Sequence, residues 1–290
     1  VMGEQGIDVL YVRELSNISW ATGFERVFDD EPAHALVVSA RNCVLHTDSR
    51  YFDAMKSAAA DTDIEVDNSR MAHSAVLAQV SDCIDGDIVR VGIEDSMPLA
   101  EYRALQRTFE GRAIDLVELS GFVEELRQVK DESEITAMRK AQSITDAAFA
   151  NIIAFMKPGM TEREVQLQLD RYMYEGGAEG LAFGTIVATG AHAASPHAIP
   201  GETKLAFGDA VVMDFGARYA GYCSDMTRTV FVGEPSDEVR RAYGAIRRAN
   251  EECEAMLRAG LSGADVHQHA EAVLEEEGFG GAMGLSLIHI

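Results

Sequence analysis

The chain has 290 residues, with 25 Lys and Arg against 48 Asp and Glu, so its formal net charge is −23 at pH 7. This length is enough for one large domain or two ordinary domains that each bury a core. The acidity argues against nucleic acid or an anionic membrane as a partner, because both bind proteins through clustered Lys and Arg. It is compatible with cations or basic peptides.

Cysteine usage and hydropathy favour a cytoplasmic protein. The four cysteines form no Cys-x-x-Cys pair, which favours reduced thiols over a disulfide framework or a zinc knuckle. The longest charge-free stretch, residues 180–201, contains His, Pro and Gly and is typical of loops and strands. We therefore expect no membrane span.

Short apolar runs alternate with helical patterns over the first 120 residues, which predicts an α/β domain. Its expected role is to cover, orient or oligomerise the rest of the protein. The predicted strands are residues 7–12, 35–38, 44–46, 64–66, 88–93 and 114–119, and the predicted helices are residues 51–60, 74–83 and 99–109.

Two helices with capping signals follow. Asp131 can cap a helix with Glu134 at its third position, and this helix should end at Lys157-Pro158-Gly159. Thr161-x-x-Glu164 opens the next helix, which should stop at Gly176-Gly177.

This helix pair recurs 101 residues later. Residues 157–161 match residues 258–262, Glu164 matches Asp265, and Gly177 matches Gly278. The recurrence predicts a catalytic domain built from two related halves, although a chance match of two short segments is an alternative.

The residues that indicate chemistry lie in a predicted β-hairpin. Two strand-like runs, residues 211–216 and 222–230, are joined by a tight turn that contains Ala220-Gly221. If these two residues form the loop, Asp225 lies opposite Gly216.

This register brings two carboxylates together. Because side chains alternate along a strand, Asp214 and Gly216 share a face, so Asp214 and Asp225 become diagonal neighbours roughly 7–8 Å apart at the backbone. Oxygen ligands suit divalent cations, which favours a metal pair between the two Asp. The alternative is an Asp paired with Arg218 or Arg228, or one solvated at an edge.

Histidines give a weaker signal. His197 lies in a loop, within Ser195-Pro196-His197-Ala198. A single histidine in a loop is more often an exposed residue without a function than a functional group. No neighbouring motif supports a function for His192, His267 or His269.

Several segments together carry a family resemblance. They resemble the Xaa-Pro aminopeptidase and prolidase branch of the "pita-bread" metallopeptidases, and the similarity spans residues 5–284. The segments are Asn17-Ile18-Ser19-Trp20-Ala21-Thr22-Gly23-Phe24, Ile186-Val187-Ala188-Thr189-Gly190, Pro196-His197, Gly208-Asp209, Met213-Asp214-Phe215-Gly216 and Gly221-Tyr222-Cys223-Ser224-Asp225-Met226-Thr227-Arg228-Thr229.

The resemblance implies a dinuclear-metal enzyme that hydrolyses the N-terminal Xaa-Pro bond of peptides with proline at the second position. Asp214 would bind one divalent ion, Asp225 would bridge both ions, and His197 would contact the substrate near the scissile bond. Mn is the expected metal, with Co or Zn as alternatives. A homodimer or higher homo-oligomer is also implied.

The same resemblance implies an α/β fold with a creatinase-like N-terminal domain (1–125) and an incomplete pita-bread catalytic domain (126–284). The remaining family ligands, one His and two Glu, do not occur in matching context. We therefore expect a fragment with little activity, and residues 285–290 look like an unrelated tail.

Two rival functions stay open. One is a non-catalytic pita-bread module that binds peptides or proteins in its cleft. The other is a metal-free, creatinase-like amidinohydrolase. Metal content separates these functions from the metallopeptidase.

Overall fold

The computed structural model describes residues 1–24, 26–29 and 31–281. The chain forms two compact units: Val1–Lys140 with Arg218–Cys223, and Ala141–Ala217 with the chain from Ser224 onward. No helix among the described residues is long and apolar enough to cross a bilayer. The tail predicted at residues 285–290 lies outside the described residues.

The first unit is built on a six-stranded mixed sheet. Its order is β4-β3-β2-β1-β5-β6, and β2 runs antiparallel to its neighbours. The strands are β1 (Val9–Val12), β2 (Ala35–Ser39), β3 (Cys43–His46), β4 (Ile64–Asp67), β5 (Val89–Glu94) and β6 (Ile114–Leu119). The helices are α1 (Leu15–Thr22), α2 (Phe52–Ala58), α3 (His73–Asp82), α4 (Leu99–Phe109) and α5 (Phe122–Leu126). The predicted α/β fold class is confirmed, whereas α1 and α5 were not predicted.

Both faces of this sheet are covered, which explains its continuous apolar strands. On β1, Val9 and Tyr11 pack into one buried cluster, while Leu10 and Val12 pack into another. The first cluster includes apolar side chains of α3 and α4, and the second includes Ile18 of α1 and Met55 of α2.

The two capped helices form as predicted. They are α6 (Glu132–Phe155) and α7 (Glu162–Glu175). Asp131 Oδ1 accepts from the backbone N–H of Glu134 at 2.9 Å, and Glu134 Oε2 accepts from that of Asp131 at 2.7 Å. Thr161 and Glu164 form the same reciprocal cap at α7.

The strands after α7 form antiparallel ladders. They are β7 (Gly180–Leu181), β8 (Ile186–Thr189), β9 (Ala210–Phe215), β10 (Ala217–Tyr219), β11 (Tyr222–Cys223) and β12 (Met226–Phe231). A three-stranded sheet has the order β12-β9-β8, and β10 pairs with β11. This part of the fold supplies the candidate site.

A second helix pair occurs at the 101-residue spacing, and the relation of the two pairs as halves of one domain remains a prediction. The second pair is α8 (Asp237–Met256) and α9 (Gly263–Glu276). The end of α8 and both ends of α9 lie 101 residues after those of α6 and α7. A pseudo-twofold between α7 and α9 remains a prediction.

Candidate functional site

The hairpin that carries the two Asp turns at Ala220-Gly221. Both residues have positive φ, 48° and 75°, the backbone of a type I′ turn. Across it Tyr219 pairs with Tyr222, and further along Met226 pairs with Phe215. This register places Asp225 opposite Gly216, so the two-residue turn predicted from the sequence is confirmed.

The two strands of the hairpin approach each other closely at Gly216, between the β9–β12 ladder and the β10–β11 ladder. A Cβ at Gly216 would lie 1.9 Å from the carbonyl oxygen of Ser224, so a side chain is excluded there. The buried hydroxyls of Ser224 and Thr145 lie 2.7 Å apart, and the backbone N–H of Ala217 donates to both, at 3.0 and 3.1 Å. These bonds fix the backbone immediately before Asp225.

Asp214 and Asp225 project from the same face of the hairpin. Thr227 pairs with Asp214 across the ladder and donates its hydroxyl to Asp214 Oδ1 at 2.9 Å. Asp225 lies two residues before Thr227 and immediately before β12, so the alternation of the strand continues to it and places it on the same face. Asp214 is half-buried and Asp225 is exposed. Strand parity therefore predicted the juxtaposition correctly.

The electrostatics show that the two carboxyl groups interact. Partial burial raises the pKa of Asp225 above its ordinary value, and the negative charge and the hydrogen bond of Asp214 raise it further. Two like charges on one face repel, and a cation between them would relieve this repulsion.

The alternative in which Arg228 forms an ion pair with one of the two Asp is not supported. Its guanidinium donates to the carbonyl of Thr227 at 2.9 Å. Asp214 and Asp225 fit a divalent cation as two oxygen donors. Within residues 1–24, 26–29 and 31–281, no three His, Cys, Asp or Glu side chains converge as a metal-binding group.

His197 lies in the same unit, in an exposed turn. It follows a 3-10 turn at Gly190–Ala194, and the N–H of Ala198 donates to the carbonyl of Ser195 at 3.2 Å. No hydrogen bond in the described part of the chain joins the His197 ring to Asp214 or Asp225.

Sequence reasoning missed a buried acidic residue next to this loop. Glu162, the first residue of α7, is fully buried, and its carboxylate accepts from Thr189, His192 and Gly201. The signal available in the sequence was weak, because a Glu in the first turn of a helix ordinarily serves the helix dipole.

Two family matches cover nearly the whole chain. Residues 136–290 match metallopeptidase family M24, and residues 1–129 match the creatinase/prolidase N-terminal domain. The peptidase YqhT of Bacillus subtilis is 32% identical over 292 residues, which cover 100% of this chain and 79% of YqhT. The peptidase SAS1635 of Staphylococcus aureus is 33% identical over 186 residues, or 64% of this chain and 52% of that protein.

Solved structures agree with these matches. The Xaa-Pro dipeptidase from Bacillus anthracis has a TM-score of 0.87 and 32% identity, covering 98% of this chain and 77% of that one. The X-Pro aminopeptidase from Thermotoga maritima has a TM-score of 0.82 and 31% identity, covering 97% of this chain and 79% of that one. The chain therefore belongs to metallopeptidase family M24 and also contains a creatinase/prolidase N-terminal domain at residues 1–129.

Proposed function

We propose that this peptidase is a metal-dependent Xaa-Pro aminopeptidase or Xaa-Pro dipeptidase, which hydrolyses the bond before a proline at the second position. The observation that carries the proposal is the pairing of Asp214 and Asp225 on one face of the hairpin. The names of the two similar solved structures, a dipeptidase and an aminopeptidase, support the substrate class.

Asp214 and Asp225 would hold two divalent ions, Mn by preference and Co or Zn as alternatives. When bound, such ions polarise a scissile carbonyl and supply a nucleophilic water at neutral pH. Both carboxylates would serve as oxygen ligands to these ions. The hydroxyl of Thr227 donates to Asp214 Oδ1 and so orients this carboxylate.

His197 and the two carboxylates would also act on the peptide substrate directly. His197, on its exposed turn, would contact the peptide beside the scissile bond and assist the tetrahedral intermediate. A bond to proline is a tertiary amide without an N–H, so selectivity would come from the shape of the site around the ring. The two carboxylates would also attract the free amine of the substrate.

For the 290-residue chain itself we propose weak metal binding and little or no cleavage. Of the five donors that the resemblance implies, Asp214 and Asp225 are present in matching context. Two carboxylates and water are too few donors to hold an ordered pair of ions. A longer form with one further His and two further Glu donors would be active.

The test measures metal content and cleavage in this longer form. Asp225→Asn should lose metal and activity together, whereas His197→Ala should keep the metal and lose turnover. Asp237→Asn, at an exposed position on α8, is the matched control and should retain both.

Three results would contradict the proposal. Equal metal loss in Asp225→Asn and His197→Ala would refute the division of roles. Binding of Xaa-Pro peptides without cleavage would indicate a binding module. Metal-independent hydrolysis of creatine would indicate an amidinohydrolase.

A further inference from the structure

The loop that carries His197 is closed at both ends by one buried side chain. Thr189 ends β8 and begins this loop, and Gly201 lies four residues beyond His197. Both backbone N–H groups donate to the carboxylate of Glu162, from Thr189 to Oε1 at 2.9 Å and from Gly201 to Oε2 at 3.1 Å. A single carboxylate therefore binds both ends of the loop formed by residues 189–201.

A third donor comes from within the loop. His192 Nδ1 lies 2.8 Å from Oε1 and 2.9 Å from Oε2 of Glu162. Because an ionised carboxylate only accepts hydrogen bonds, Nδ1 of His192 must carry a proton in this contact. The loop thus supplies three N–H donors to a single charged group.

The burial of Glu162 makes this contact specific. Its side chain is 0% exposed, and a buried carboxylate is strongly destabilising unless every oxygen is hydrogen-bonded. The three loop donors and the start of α7 meet that requirement. The backbone of α7 adds two more bonds, from Glu162 N–H to the carbonyl of Thr203 and from Arg163 N–H to that of Gly201.

His197 has no comparable anchor of its own. It is exposed, and no hydrogen bond of its side chain occurs in the part of the chain that the structure describes. Its place is therefore fixed through the backbone of the loop, whose two ends meet at Glu162.

We propose that Glu162 is a positioning residue that sets the location of His197 by closing loop 189–201 on its carboxylate. This inference rests on the proposed function for the role of His197. The closure of the loop itself does not depend on any activity.

The test compares Glu162→Gln with the matched control Glu164→Gln. Both residues lie in the first turn of α7, but Glu164 binds the N–H and hydroxyl of Thr161, at 2.7 and 3.1 Å, instead of the loop. A Gln can still form the cap at position 164. A Gln at position 162 places an NH₂ group where the loop requires an acceptor.

The first readout uses NMR on the 290-residue chain and needs no activity. Glu162→Gln should shift and broaden the ring signals of His192 and His197 and should speed amide exchange at Thr189 and Gly201. Glu164→Gln should leave all four unchanged. Unchanged signals in Glu162→Gln, or the same changes in both variants, would overturn the proposal.

A second variant covers the case in which Glu162→Gln does not fold. His192→Ala removes a ring that is 35% exposed and leaves both backbone bonds to Glu162 in place. It removes one of the three loop donors to Glu162, so the loop should loosen and the His197 ring signals should shift in a folded protein. Unchanged His197 signals would overturn the proposal.

The second readout is a double-mutant cycle in the longer form with the complete donor set. Glu162→Gln should lower kcat by on the order of 10²-fold, the effect of a displaced catalytic group, with little change in KM. In the His197→Ala background the same substitution should have no further effect. Additive losses would refute action through His197. An absence of Xaa-Pro cleavage in the unmodified longer form would refute the proposed function and leave the NMR result to decide the closure of the loop.

Discussion

Thr227 lies directly across the β9–β12 ladder from Asp214, and its hydroxyl donates to Asp214 Oδ1 over 2.9 Å. The bond occupies one carboxylate oxygen and fixes the orientation of the other. In a metal site, such a partner holds the ligand in the geometry that the ion requires.

Thr227→Val is therefore expected to weaken divalent-cation binding although Thr227 itself contributes no ligand. Loss of a hydrogen bond to a ligating carboxylate typically costs about 10–100-fold in metal affinity. Titration calorimetry with Mn²⁺ on the longer form with the complete donor set measures the effect. Thr227→Ser retains the hydroxyl and should bind like the unmodified longer form, so equal weakening in both variants would contradict this role.

Asp225→Asn should have opposite effects on stability without and with a divalent cation. Without the ion it removes the repulsion from Asp214, so the free energy of unfolding should stay equal or rise by less than about 1 kcal/mol. With Mn²⁺ the longer form with the complete donor set gains stability by mass action, and its Asp225→Asn variant does not. Urea unfolding with EDTA and with Mn²⁺ makes the comparison, and a destabilised variant in EDTA would contradict it.

Ala220→Asn should stabilise the hairpin. Ala220 has a φ of 48°, a conformation that costs a residue with a Cβ about 1–2 kcal/mol and that Asn tolerates better. Asn-Gly is also a preferred sequence for a type I′ turn. We expect the free energy of unfolding to rise by about 0.5–1 kcal/mol. Ala206→Asn, at an exposed position with negative φ, should change little in the same urea titration.

Acid should destabilise the protein through His73. Burial, and to a smaller extent the charges of Arg13, His46 and His34, lower the pKa of His73 to about 3. Its Nδ1 lies 2.6 Å from Nδ1 of His46, a spacing that accommodates one proton. Below pH 6.5 the unfolded chain binds a proton at His73 while the folded chain stays neutral until about pH 3, so stability is lost across this window.

His73→Gln removes this contribution. The loss of unfolding free energy between pH 7 and pH 4.5 should shrink by about 1–2 kcal/mol. Urea midpoints at the two pH values measure it, with His197→Gln, the loss of an exposed histidine, as the control. An unchanged pH dependence in His73→Gln would show that His73 does not titrate in this way.

The regular elements of the first unit could be predicted because both periodicity and turn signals marked them. The six predicted strands all occur, with β1 two residues shorter at its start than predicted. Helices α1 and α5, of eight and five residues, were not predicted. Their stability comes from buried residues such as Ile18 and Phe122, which only the folded core reveals.

The pairing of Asp214 and Asp225 was predictable because it depends on local rules. Eleven residues and a two-residue turn fix which face each Asp occupies. Glu162 was not predictable in this way, because its partners Thr189, His192 and Gly201 lie 27–39 residues away. Nothing in the local pattern indicates that this Glu, rather than Glu164, turns inward.

The two helix pairs agree in spacing but differ in how their second helix begins. Both ends of α7 and α9 are offset by 101 residues. Thr161 forms the reciprocal bond with Glu164, whereas the Ser262 side chain accepts from the N–H of Ala264. Two helices of equal length therefore start with different capping bonds, so the length of this helix does not depend on one particular cap.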